Sequence, residues 1–155
     1  MSLDELIAED RAIDFDHFGH RDAWAVGSHI VRVATERSLP ITAAIWLGEQ
    51  RVFHVGMPGS SADNDHWMER KAAMVRRYDV SSLLAARRWQ SRGVEEESLR
   101  IGLDPRLYTF SGGGVPVRVH GALVGVAVVS GLTEDADHAL VVEALRAHLA
   151  APPID

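Results

Sequence analysis

His66, Glu69 and Arg70 stand at i, i+3 and i+4, so on a helix they share one face. A His–Glu pair so placed is a partial metal site, because imidazole nitrogen and carboxylate oxygen are both common ligands. No His-Glu-x-x-His motif and no second nearby histidine completes it. The plainer role for Arg70 is a salt bridge, within the chain or across a subunit boundary. Around these residues Asp63, Asn64, Trp67, Arg70 and Lys71 form a polar-aromatic group of the kind that lines a pocket or anchors an interface.

Three neighbouring motifs offer related chemistry. Gly59-Ser60-Ser61-Ala62-Asp63 precedes this helix, and the free N–H groups of a helix start attract anions. Ser60, Ser61 or Asp63 equally serves as a helix cap, and Asp63 and Asp65 oppose a second negative charge. Ser130-Gly131 and the run Ser111 to Gly114, which contains Gly113, supply hydroxyls and backbone donors. Neither fits a hydrolase elbow, a P-loop or a dinucleotide fingerprint. Asp137-His138 opens a late helix, and His138 is a candidate base, ligand or pocket wall. Adjacent helical residues diverge, so Asp137 is not expected to orient His138. The expected site joins Ser60, Ser61, Asn64, Trp67, Arg70, Lys71, Gly113, Ser130, Gly131 and His138 in one ligand pocket. Gly59 and Gly131 at opposite ends of a sheet would overturn that expectation.

The elements that must position them follow from pattern. Ser2 and Glu5 form a capping box for a helix to about Ile13. Ala23, Val26, Gly27, Ile30, Val33 and Ala34 recur at helical spacing from Arg21 to Ser38, and Pro40 stops that helix. Strands are expected over 41–47 and 51–55 as a hairpin, then a helix from Asp63 to Tyr78 and another from Ser81-Ser82 to Arg92. A further helical piece falls at 95–102 and a short strand at Leu107 to Phe110. A second hairpin pairs 115–119 with 122–129. Pro116 suits an edge strand, and the strand 122–129, apolar on both faces, suits the centre of a sheet. Thr133 caps a last helix to Leu149. The tail 150–155 is expected to fray.

The chain has 155 residues, 46% hydrophobic and 25% charged, as expected of one soluble domain spanning 1–155. With no cysteine, thiol catalysis, zinc–thiolate sites and disulfides are excluded. The acidic start has no signal-peptide pattern and no apolar run is long enough to span a membrane, so the expected place is the cytoplasm, without membrane contact. A net charge of −6 argues against nucleic-acid binding. The charge is uneven, however. Residues 70–106 hold 9 Lys or Arg against 5 Asp or Glu, and residues 1–69 hold 5 against 12. Solvated helix faces explain the basic middle more simply than an anion-facing surface.

Pro58-Gly59-Ser60-Ser61-x-Asp63-Asn64-x-x-Trp67-x-x-Arg70-Lys71, Ser81-Ser82, Gly112-Gly113-Gly114-x-Pro116-Val117, Gly125-Val126-x-Val128-Val129-Ser130-Gly131-Leu132 and Asp137-His138-x-Leu140-Val141-Val142-Glu143-Ala144-Leu145 occur in that order. This series resembles the GlcG/HbpS-like "haem-degrading domain" family, and within it a subgroup of short bacterial and fungal proteins. The resemblance implies an α+β fold: a profilin-like α-β-α sandwich with one antiparallel sheet of about five strands covered by helices on both faces. It also implies a homo-oligomer, and haem or iron binding as found in parts of the family. His66 and His138 are then the candidate haem ligands, and Arg70 or Lys71 the partners of its propionates. The first expectation is an oligomer with a pocket for a small, anionic ligand at its helix starts and no assigned reaction. Haem binding or degradation is the alternative, and a hydrolase or isomerase using Ser, Asp and His ranks below both.

Overall fold

The computed structural model describes residues 1–154. Asp155, the last residue of the expected tail, lies outside the described residues. The order is α1 (Leu3–Ala12), α2 (His20–Glu36), β1 (Thr42–Leu47), β2 (Gln50–Gly56), α3 (Ala62–Tyr78), α4 (Ser82–Gln90), a single 3-10 turn (Leu99–Ile101), β3 (Gly114–Val119), β4 (Ala122–Ser130) and α5 (Glu134–Ala150). The capping boxes and caps read from the sequence form locally. Ser2 Oγ accepts from the Glu5 N–H at 3.2 Å, Glu5 returns the bond to the Ser2 N–H, and Thr133 accepts from the Ala136 N–H.

The sheet has four antiparallel strands in the order β2-β1-β4-β3. Helices cover both faces. On one face α2 and α5 pack Val26, Ile30, Val33, Val141 and Leu145 against Ile45, Val117, Ala127 and Val129. On the other, Met68, Ala72 and Val75 of α3 meet Ala44, Trp46, Val126 and Val128. The double-sided apolar run of β4 therefore has the expected cause: it is central and buried on both sides. Pro116 sits on the edge strand β3, whose outer backbone also pairs with Phe15.

The expected fifth strand at Leu107 to Phe110 does not form. The Leu107 and Tyr108 N–H groups both donate to Asp104 O, and Phe110 N–H donates to the Glu97 carboxylate. Its apolar residues serve packing instead: Phe110 is buried with Met74, Ala85, Ala86 and Leu103. The expected helix over 95–102 shrinks to the 3-10 turn, closed by Gly102 in the left-handed region.

Strand directions fix where loops gather. Thr42 pairs with Gly56 on one side and Ser130 on the other, and Gly114 pairs with Val128. The end of β2, the start of β1, the end of β4 and the start of β3 thus share one end of the sheet. From this end leave the turn into α3, the loop 111–113 and the turn into α5.

Candidate ligand pocket at the sheet end

Lys71 is the single lysine among 16 Lys and Arg residues, and it is the largest fully buried side chain among the described residues. It projects from α3, which lies along the sheet, toward the start of α5. Its Nζ donates to Asp137 Oδ2 at 2.8 Å and to Val129 O at 3.0 Å. Both charged side chains are 2% exposed. Asp137 is held from its own side as well: the Leu132 N–H donates to Oδ1 at 3.0 Å and the Gly131 N–H to Oδ2 at 3.3 Å. A buried charge is tolerated only when paired and hydrogen-bonded, and Asp137 meets both conditions. Lys71 uses two of its three donors; the third finds no acceptor among the described residues.

Burial drives the Lys71 ammonium below the ordinary lysine value. The Asp137 charge and hydrogen bond pull it back, as does Glu134, while nearby Arg70 adds to the depression. Burial wins.

Gly113 makes this packing possible. Its φ is +122°, and a Cβ there would stand 2.5 Å from Val129 O, 2.9 Å from Asp137 Cβ and 3.0 Å from Lys71 Nζ. Gly131, at φ +144°, passes so close to Pro40 that a Cβ would lie 2.6 Å from its carbonyl oxygen. Gly59 also presses on Pro40. Gly59 and Gly131 therefore share one end of the sheet.

A cavity of about 290 Å³ opens there. Asn64, Trp67 and Lys71 of α3 form one wall; Ser111, Ser130, Gly131, Leu132 and Asp137 form the other. Asn64 Oδ1 accepts from the Ser61 N–H at 2.9 Å, which leaves its NH₂ as the free end. Neither serine hydroxyl has a partner among the described residues. Trp67 is fixed by Asp63, which accepts its indole N–H at 3.2 Å, and by Arg70, stacked 4.0 Å over the ring. Arg70 also donates to Pro105 O.

The remaining candidates lie elsewhere. Ser60 Oγ donates to Met57 O and closes the turn, and Ser61 is the N-cap of α3. Neither lines the cavity, and nor does Gly113, which packs behind it against Val129 O, Asp137 and Lys71. His138 points away from Asp137, as helical geometry requires, into a second cavity of about 230 Å³ between α1, α4 and α5. Its Nε2 is 2.8 Å from Glu9 Oε1, and its Nδ1 is buried without a partner. His66 is exposed and unpartnered among the described residues, and Glu69 pairs with Arg51 instead. Among the described residues no cluster of three or more His, Asp or Glu is placed to hold a metal ion. Sequence reasoning missed Asp137 and Leu132. The lone lysine was the signal available, since a lysine is chosen over arginine where a titratable, compact amine is wanted.

An α+β sandwich with a polar cavity at the convergent end of an antiparallel sheet defines the class of protein. The chain belongs to the HbpS-like haem-degrading protein family, whose model matches residues 18–146. A "UPF0303 protein" of Streptomyces avermitilis is 44% identical over 153 residues, covering 97% of this chain and 93% of the relative. Among solved structures, the Ybr137w protein superposes with a TM-score of 0.84 at 24% identity, covering 95% of this chain and 87% of that one. A "PduOC:Heme Complex" superposes at 0.70 with 18% identity, covering 84% and 94%. These two structures bear on the fold. Among the described residues no helix is long and apolar enough to cross a membrane.

Proposed function

We propose that the protein binds a small, oxygen-bearing polar ligand in the cavity at the sheet end, on the profilin-like sandwich that the family resemblance implies. The observation that carries this reading is the set of unused donors facing the cavity. The Asn64 amide, the Ser111 and Ser130 hydroxyls and the third Lys71 N–H lack protein acceptors among the described residues. These donors face the open cavity, where a ligand carbonyl, carboxylate or hydroxyl oxygen can take the place of water as their acceptor. Asp137 offsets the Lys71 charge, so a neutral or singly charged ligand suits the cavity better than a phosphate. Trp67 supplies a flat wall, and its fluorescence reports occupancy. A titration with small hydroxy acids, keto acids and neutral carbonyl compounds should give a saturable change that Trp67→Phe removes. No response to any of them sinks the reading.

Haem is the second reading, favoured by the family and by a relative solved as a heme complex. The sheet-end cavity does not fit it: no His, Cys, Met or Tyr lines that cavity, and those are the side chains that ligate haem iron. His138 would first have to release Glu9. Of the two candidate ligands, His66, exposed on α3, is the one open to a haem held at the surface. Hemin titration tests this. A Soret shift lost in His66→Ala supports it, and no shift at micromolar hemin removes it.

Homo-oligomer formation belongs to the same proposal. Trp24 is 66% exposed on α2, its ring against the buried Phe53 of the edge strand β2, and this exposed aromatic is suited to a subunit contact. Light scattering showing a 17.0 kDa monomer at all concentrations would count against it. A cytoplasmic place with neither membrane nor nucleic acid as partner completes the proposal; the net charge of −6 is what weighs against nucleic acid.

A further inference from the structure

We propose that Lys71 captures a small carbonyl compound as an imine, with Asp137 as the proton carrier. The inference rests on the proposed pocket and deepens it by naming the ligand class and a covalent step.

Three observations converge on Lys71. It is the only lysine in a chain whose other basic residues are all arginine. Arginine would serve a purely structural ion pair with carboxylate as well or better, because its planar fork matches the carboxylate. The chain uses such a pair elsewhere: Arg118 meets Asp10 at 2.8 Å, with side chains 12% and 4% exposed. An amine, unlike a guanidinium, becomes a nucleophile when it loses its proton. Second, Lys71 is one of the residues lining the cavity, and its amine has a carboxylate 2.8 Å away, within reach for proton transfer. Third, the Ser111 and Ser130 hydroxyls and the Asn64 amide face the same space and are suited to hold a carbonyl oxygen as charge develops on it. Burial, which lowers the ammonium's hold on its proton, increases the share of free amine at neutral pH.

The step balances without an oxidant or reductant. Asp137 takes one proton from the Lys71 ammonium. The Nζ lone pair attacks the carbonyl carbon, a C–N bond forms, and the carbonyl oxygen takes a proton from Asp137 to give a carbinolamine. The second amine proton passes through Asp137 to the hydroxyl, the C–O bond breaks, and water leaves as the C=N bond forms. The reaction reverses by adding water.

Reductive trapping tests this on the intact protein. Pyruvate and propanal, as an acidic and a neutral probe, are each added with sodium cyanoborohydride, and the adduct is located by peptide mass mapping. The chain has only two amines, Lys71 and the N-terminus, so the N-terminal adduct is an internal control. The expected result is an adduct at Lys71 in the folded protein. In concentrated urea, labelling of Lys71 relative to the N-terminus falls by about tenfold for each pKa unit that folding removes. In folded Asp137→Asn, checked by circular dichroism, Lys71 labelling falls while N-terminal labelling stands. Labelling confined to the N-terminus with both probes overturns the inference. If Trp67 fluorescence still responds to the unreduced probes in that case, the pocket reading survives alone; if it does not, both lose support. Labelling of Lys71 only after unfolding also overturns it.

Discussion

Severing the Lys71–Asp137 pair should be among the most damaging single changes in this fold. Asp137→Asn removes the countercharge of an ammonium that is 2% exposed and leaves it only Val129 O. Breaking a buried pair from one side costs about 3–5 kcal/mol. At this chain length 1 kcal/mol shifts Tm by about 2–4 °C, so Tm should fall by about 6–20 °C. Lys71→Met should cost somewhat less, about 3 kcal/mol, because the stranded carboxylate keeps the Gly131 and Leu132 N–H donors. The double variant leaves no buried charge, so its cost should lie about 1–3 kcal/mol below the sum of the singles. Urea denaturation with linear extrapolation measures all four corners. Additive singles, or singles costing less than about 1 kcal/mol, would refute the claim that the pair is buried and coupled.

The same pair sets an alkaline trend. The folded-state pKa of Lys71 lies below its ordinary value of 10.5, so between the two the unfolded chain holds more protons. Stability then rises with pH across that window, and Lys71→Met should remove the rise seen in denaturation curves. Asp22 works in the opposite limb. Burial raises its pKa, but the Gly19 N–H and His148 more than offset that and leave it below 3.8. Its contribution is present above that value and is lost as pH falls through the folded pKa, a loss that Asp22→Asn should remove from an acid titration followed by circular dichroism. Gly113→Ala should cost about 1–3 kcal/mol for its positive φ alone, and more from the clash with Val129 O, read as a lowered Tm.

Much of the fold was legible because local rules and tertiary packing agreed. The hairpins, the central place of β4 and the caps at Ser2 and Thr133 all follow from patterns of a few residues. Leu107 to Phe110 misled because a β-like apolar run cannot reveal whether its backbone finds a strand partner; here Asp104 and Glu97 take those N–H groups. The convergence of the 58–71, 111–114 and 130–137 stretches was legible in outline, since hairpin strands must return to the same end. The chemistry within it was not. Lys71 and Asp137 lie 66 positions apart, and Asp137 resembles any acid in a first helical turn. His138, its neighbour, drew attention by residue type yet points to a different cavity. Ser60 and Ser61 suggest an anion site in sequence, whereas their turn is closed by Met57 O and Asn64.

The central claim is that the sheet end is a ligand pocket built around Lys71 and Asp137. Amide chemical-shift mapping of the ¹⁵N-labelled protein during titration with pyruvate or propanal tests it most directly. The account predicts saturable shifts clustered on Asn64, Trp67, Ser111, Ser130 and Gly131, together with the Trp67 indole N–H. Shifts centred instead on His66 or on the His138–Glu9 cavity, or none with either compound, would contradict it.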